Sequence, residues 1–420
     1  MKKQQLFVSV LVMVLLVALP AAAQRTLQIY GPVGGAGRTA AFRDFIIPKF
    51  QEIHPDVEIQ LIQSNSSSEK LKVLIAAGTP PDIAVVPQAD FGMMARGLYL
   101  EMAPFIEKYD FNMKNIPTEA IKQFTLNGVL YALPFDGLGI NIDSLYINLD
   151  LFRAAGLTTP KINYDDPYSG WSYDQLRQTA KRLTRDNNGD GVMDQWGYAP
   201  SQGNGNWFRL IWSFGGNVVE ETPVLRSVVN SAEVIEAFQW MRDMKFTEQV
   251  TAAMAQFPQG RVGILEQPLA YSSNQLATVT FDWTLTAPPY GKGGRWGIAL
   301  NNPMGIMATS KNKDLAFEFM QFWLSDEVQI YLSERAVAPP QTYSAASRAN
   351  FIYTDKPPYD RSPFVFGRSR SMPVWLEQWP EILAAFRPEV DTVWTKPDVP
   401  LRTITERLHN QLTLIIEGKI

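Results

Sequence analysis

The chain has no cysteine and only two histidines in 420 residues. Without Cys there is no disulfide framework, no thiol nucleophile and no N-terminal cysteine to carry a lipid anchor. His54 falls in a helix-to-strand turn and His409 in the terminal helix, and neither G-x-S-x-G nor H-E-x-x-H occurs. A strongly basic block is missing as well: the formal net charge is −4, and becomes −6 once Lys2 and Lys3 are removed. Nucleic acid is therefore excluded as an expected partner. There are 11 Trp and 15 Tyr, yet no Trp precedes Trp171, so the tryptophans act in the later part of the chain. Long apolar runs are absent apart from Leu6 to Leu19, which is short for a membrane span of about 20 residues.

That run follows Lys2 and Lys3 and ends at Ala21, Ala22 and Ala23, the pattern of a secretion signal over residues 1–23 with cleavage before Gln24. The mature chain is expected to cross the inner membrane into the periplasm as a soluble protein, without a lipid anchor. What remains is too long for one ordinary core, and a composition 46% hydrophobic and 12% aromatic belongs to a well-packed globular protein, here of two domains.

The mature chain opens strand, helix, strand, helix, strand, which predicts an α/β fold. TLQIY and VEIQLI read as strands around AAFRDFIIPKFQEIHP, whose Phe42, Phe45, Ile46 and Phe50 fall at helical spacing; DIAVV reads as a buried parallel strand. Between the first strand and helix lies GPVGGAGRT. GAGRTA fits the weak GxGxxA dinucleotide pattern, and the stretch comes near a P-loop, but there the outer glycines are one residue too far apart and Arg38 stands where Lys is needed, and an exported protein meets little nucleotide. Free N–H groups at a helix start, with Arg38 beside them, could hold an anionic or hydroxyl-rich ligand group; a simple glycine turn is the alternative. Ligands in α/β sheets bind beyond the carboxyl ends of strands, which makes Tyr30, Gln88 and Asp90 candidates, with Asp90 alternatively capping a helix at Phe91. Residues 128–157 hold two β-type runs around a polar, glycine-containing centre, the pattern of a crossing between lobes or of an ordinary hairpin.

In DNNGDGVMD, Asp186, Asn188, Asp190, the Val192 carbonyl and Asp194 occupy calcium-loop positions 1, 3, 5, 7 and 9, with Gly191 at the turn; position 12 is Gly197 rather than Glu. The loop is a candidate structural Ca²⁺ site or a tight Asx-rich turn with no ion. No other cofactor is expected.

AAGTPPDI, NGVLYALPFD, LYINLDLFRAAGL, WSYDQLRQTAKRLTRDNNGDGVMDQWGYA, FPQGRVGI, TAPPYGKGG and MGIMATSKNKDLAFEFMQFWLSDEVQIYLSERAVAPP, in this order, resemble the family 1 extracellular solute-binding proteins of ABC importers, the group that includes maltose- and other sugar-binding proteins. The resemblance implies a two-lobe periplasmic-binding-protein fold of type II, joined by a hinge that the chain crosses three times, with ligand in the cleft. Mapped by motif, lobe 1 is 24–137 plus 287–338, and lobe 2 is 138–286 plus 339–420. Phe135 and Asp136 then belong to the first hinge strand and the cleft wall, Asp136 as an acceptor for ligand hydroxyls. Asn206 and Trp207 map to a stretch that reaches ligand in the family, while Trp212, Trp240 and Trp323 are expected in the core. Tyr271 stands in for a stacking Trp that the Gln267-Pro268-Leu269 stretch lacks, Asn302 replaces a glycine-rich turn, and Arg370 and Trp375 map to the second lobe's cleft, where the arginines could alternatively pair with surface carboxylates.

The function implied is capture of a carbohydrate by lobe closure and delivery to membrane permeases, by a monomer that is not an enzyme. The alternatives are a secreted lectin, a carbohydrate-active enzyme with Asp90 and Asp136 facing each other, and a binding protein for an acidic or phosphorylated sugar derivative.

Overall fold

The computed structural model describes residues 25–31, 36–63, 68–138, 143–268, 276, 279–335, 340–344, 351–355 and 357–419. The expected secretion signal and Tyr271 lie outside the described residues, as do the side chains of Gln88 and Asp136. β1 (Arg25–Gly31) lies between β2 (Val57–Gln63) and β3 (Ile83–Val85), parallel to both, with Arg25 opposite Val57 and Ile29 opposite Ile83. Parallel neighbours need crossovers: helical residues 36–53 link β1 to its neighbour β2, and helix Glu69–Ala76 carries the chain from β2 past β1 to β3. β4 (Thr125–Leu126) and β5 (Val129–Leu130) form a tight hairpin on Asn127 and Gly128, whose φ values of 50° and 82° suit a two-residue turn that needs the left-handed region twice.

The remaining strands are β6 (Leu133–Leu138), β7 (Asp143–Asn148), β8 (Trp196–Ala199), the two-stranded pair β9 (Val219–Glu220) and β10 (Arg226–Ser227), β11 (Val262–Pro268), β12 (Trp283–Thr286), β13 (Gly297–Ile306) and β14 (Ser369–Ser371). The first large sheet runs β14-β13-β3-β1-β2, with β6 also paired to β13; the second runs β12-β7-β11-β8. β6 and β7, consecutive in sequence, thus fall in different sheets, which rules out the hairpin reading of residues 128–157.

Each sheet has its own core. One cluster joins Leu27, Ile29, Phe42, Phe135, Met304 and Trp323; a second joins Leu145, Leu176, Phe208, Phe238, Phe386 and Leu408; a third lies around Tyr146, Trp283 and Phe351. The chain leaves the first cluster between Phe135 and Leu145, returns between Leu285 and Met304, and leaves again between Leu332 and Phe351. Trp212, Trp240 and Trp323 are all buried. Helix Tyr173–Leu183 starts at a reciprocal cap: Ser172 Oγ accepts from Gln175 N–H and Gln175 Oε1 accepts from Ser172 N–H.

The C-terminal tail departs from the expected division. β14 pairs with Gly297–Ala299 of β13, Gln341 N–H donates to Gln329 Oε1 (2.7 Å) and Tyr343 N–H donates to the Asn115 carbonyl (2.8 Å), so these pieces attach to the first lobe. The reason is an edge: β14 covers backbone groups that the first half of β13 would leave unpaired. Helices Trp379–Thr395 and Leu401–Ile416 pack in the second core. Among the described residues no helix is long and apolar enough to cross a membrane.

Candidate functional site: the seam between the lobes

On the first lobe, β6 is held from behind by rings. Trp323 Nε1 donates to the Phe135 carbonyl (2.9 Å) and the two rings stack at 4.4 Å and 12°, with Phe42 a further 5.4 Å from Trp323. Phe135 was expected on the cleft wall, but its ring is 1% exposed. Its strand turns that ring toward the core, where the stacking partners are. The Arg38 guanidinium lies 5.7 Å from the Phe135 centroid, so these two candidates do meet. Tyr30, also expected to face ligand, is fully buried in the same core, and the following Gly31 lies so close to Val85 that an added Cβ would sit 3.0 Å from it. Asp90 is half-buried and accepts a hydrogen bond from Ser68 Oγ; it caps no helix, because Pro87 holds the cap position of the 3-10 segment Gln88–Arg96. Burial first, and then the charge of Asp90, push the Tyr99 hydroxyl far above its ordinary range; Tyr99 itself is buried in the first lobe's core. Asn302 pairs with Asp136 along the backbone of β13 and β6, next to the register shift at Pro303.

On the second lobe, helix Asn204–Ser213 points its first turn at β13: a Cβ added to Gly205 would lie 3.0 Å from Ile298 Cδ1. Asn206 in that turn is 5% exposed, and among the described residues its Nδ2 has no acceptor. The next residue is about 100° further round the helix, so Asn206 and Trp207 cannot share a face. Trp207 goes inward, edge-on to Phe238 at 5.6 Å, and is a core residue rather than a ligand platform.

The tail crosses this seam. Arg370 on β14 lies over the Trp212 ring (5.2 Å) and the Trp296 ring (6.0 Å), and Arg368 lies 4.1 Å over Trp296. Among the described residues neither arginine has a carboxylate within 4.0 Å, so the alternative of surface ion pairing does not hold for them. Burial lowers the Arg370 pKa, while Glu221 and Glu119 oppose that shift. Trp375 bridges the lobes: its Nε1 donates to Glu221 Oε2 (2.7 Å), and Lys122 Nζ sits 4.7 Å from its ring. Helix Thr118–Gln123 also reaches the tail, with Gln123 Nε2 donating to Ser371 Oγ (2.6 Å) and Ser371 Oγ donating to Glu119 Oε2 (3.1 Å). A half-buried cation on two indole faces, and an amide donor that has no acceptor among the described residues, are suited to a ligand rich in oxygen acceptors.

The sequence profile of the bacterial extracellular solute-binding proteins matches residues 35–330. The chain belongs to this family. Three solved structures share its fold. The ABC substrate-binding protein of Listeria monocytogenes in complex with cycloalternan has a TM-score of 0.77 at 19% identity, covering 92% of this chain and 98% of that one. The cyclic alpha-maltosyl-1,6-maltose binding protein of Arthrobacter globiformis has a TM-score of 0.76 at 17% identity, covering 94% and 99%. A Mycobacterium tuberculosis protein in complex with glycerophosphocholine has a TM-score of 0.75 at 15% identity, covering 94% and 99%. The two-lobe type II fold of periplasmic binding proteins is thus the fold of this chain.

Residue-by-residue reading missed the part of this solute-binding protein that anchors its second cleft wall. Arg209, one turn below Asn206, forms an ion pair with Glu266 of β11; both are 2% exposed, and Tyr198 Oη donates to Glu266 Oε2 (2.7 Å). The signal was available as one Arg in the apolar run NWFRLIWSF and one Glu in GILEQP. Trp296, Gln123 and Glu221 carried no comparable signal.

The calcium-like loop spends its carboxylates on itself. Asp186 accepts from the N–H groups of Asn188, Gly189 and Gly191, Asp190 from Asn188 Nδ2 and Val192 N–H, and Asp194 from Asn187 N–H. Among the described residues no group of three or more His, Cys, Asp or Glu is arranged to hold a metal ion. These bonds are those of the Asx-rich turn, one of the two readings that calcium-loop spacing without the acidic twelfth position allows.

Proposed function

We propose that this solute-binding protein captures a carbohydrate in the seam between its lobes, closes on it, and delivers it to the membrane permeases of an ABC importer. The observation that carries this reading is the Arg370 guanidinium, lodged on the Trp212 and Trp296 rings and, among the described residues, without a carboxylate partner; Asn206, whose amide has no acceptor among them, stands on the helix turn that meets Ile298, the residue opposite Arg370 in β13. Ligand hydroxyl oxygens would satisfy both groups, and a polar group left buried without a partner costs about 1–3 kcal/mol. Two of the structural neighbours carry cycloalternan or are named for a cyclic maltosyl-maltose, which supports a sugar. A ligand that touches both lobes favours the closed form by its differential affinity alone.

The reading includes secretion through the signal at 1–23, a periplasmic monomer and no catalytic turnover. Arg370, without a carboxylate partner among the described residues, also favours a second reading, a sugar bearing a carboxylate or phosphate, with which a guanidinium forms paired hydrogen bonds. The test is a melting screen of the mature protein against neutral sugars, uronic acids and sugar phosphates. The expected result is a concentration-dependent rise with one class, as mass action requires. Silence across the whole panel contradicts the carbohydrate reading.

A further inference from the structure

A cavity of about 770 Å³ opens on the second lobe, where helix Tyr173–Leu183, helix Ala232–Arg242 and the TAPPYGKGG loop meet. None of its walls comes from the first lobe's core or includes Asn206, Arg370 or Trp375, so it is not the seam. Its floor is aromatic. Tyr173 lies 5.1 Å from Phe214 and edge-on to Trp240 at 4.8 Å. Tyr290 is fixed by backbone bonds, its N–H donating to the Trp171 carbonyl (2.9 Å) and its carbonyl accepting from Tyr173 N–H (3.0 Å). Tyr168 stands edge-on to Tyr290 at 5.8 Å and 87°, yet remains 53% exposed at the rim.

The charges around this floor cancel: Arg177, Lys292 and Arg402 face Asp174, Glu236 and Asp243. Lys292 is paired with Glu236 (2.6 Å), Arg402 lies 3.7 Å from Glu406, and Gln239 Nε2 donates to Asp243 (2.7 Å). Arg177 lies 5.9 Å over the Trp240 ring, and among the described residues neither its Nε nor Trp240 Nε1 has an acceptor. A balanced rim gives no net field to select an anion or a cation. The exposed Tyr168 ring at the rim, with donors and acceptors interleaved around it over the buried aromatic floor, matches a pyranose, whose C–H face covers an aromatic ring and whose hydroxyls both donate and accept. The volume lies within the ~300–1,000 Å³ of small-molecule sites.

We propose that this cavity is a second, weaker binding site for a neutral saccharide, independent of the seam. It stands on its own walls and does not require the seam to take the same sugar. The test follows the Trp240 indole N–H signal of ¹⁵N-labelled mature protein, assigned with Trp240→Phe, during titration with maltose, trehalose, cellobiose and mannobiose up to ~50 mM, a range that reads millimolar affinity. The expected result is a saturable shift with at least one of these sugars, weakened about tenfold or more by Tyr168→Ala and by Arg177→Gln and unaltered by Arg370→Gln. Tyr168 is exposed, so its removal leaves the fold intact. No shift with any of the four, a shift that Tyr168→Ala leaves unchanged, or a shift that vanishes with Arg370→Gln each overturns the proposal. A saturable Trp240 signal in a protein whose melting temperature ignores the whole ligand panel at about 0.1 mM would instead retain this site and overturn the seam reading.

Discussion

In the first lobe the strand that borders the seam, β6, is held by rings: Trp323 stacks on Phe135 and donates one neutral hydrogen bond to its carbonyl. In the second lobe the bordering helix, Asn204–Ser213, is held by charge, through Arg209 and Glu266 in full burial with Tyr198 on the carboxylate. Both devices fix a cleft wall, and they differ in how they fail. An aromatic stack loses contacts piecemeal, because each atom pair contributes little. A buried ion pair fails at once, since removing one partner strands the other charge in a low-dielectric interior. The second wall is therefore the more specifically placed and the less tolerant of substitution.

The largest expected effect comes from breaking the ion pair. Glu266→Gln should destabilise the mature protein by ~3–5 kcal/mol, read from urea unfolding, whereas the double change Arg209→Met with Glu266→Leu should recover most of that loss. A loss in the double variant as large as in the single one would show that packing, not charge, holds the helix. Next in size, Trp323→Phe keeps a ring in the stack and loses the bond to the Phe135 carbonyl; ~1–2 kcal/mol is expected. A cost above that of Glu266→Gln would reverse the ranking of the two walls.

The smallest effect lies outside both walls, in the loop from Asp186 to Asp194. The N–H groups of Gly191, then Gly189 and Asn188, hold the Asp186 carboxyl below the usual carboxylate range. A depressed folded-state pKa gives stability that is present above the unfolded value of about 3.9 and lost as pH falls through the folded value. Asp186→Ala should accordingly lower the melting temperature at neutral pH, and this difference should shrink as pH drops below about 4. A difference independent of pH would place its origin in loop geometry rather than in the carboxylate.

Much of the architecture was legible because periodicity and cap chemistry act locally. The strand-helix-strand opening, the Ser172 cap and the burial of Trp212, Trp240 and Trp323 all follow from residue type and spacing. The seam was legible in part. Arg370 and Trp375 lie between the lobes' elements, and Asn206 sits in the helix turn next to β13, but Tyr30, Phe135 and Trp207 point into cores. Which face of a strand or helix meets solvent depends on what packs behind it, here Trp323 and Phe238, more than 30 residues away in the chain. The attachment of β14 to β13 was hidden for the same reason, since three residues at the end of a loop carry no register of their own.

The central claim is capture by lobe closure, and small-angle X-ray scattering of the mature protein tests it most directly, with and without the sugar that raises the melting temperature most. The account predicts a smaller radius of gyration in the saturated protein and no change when Arg370→Gln is given the same sugar concentration. An unchanged radius in wild-type protein shown to be saturated would contradict it.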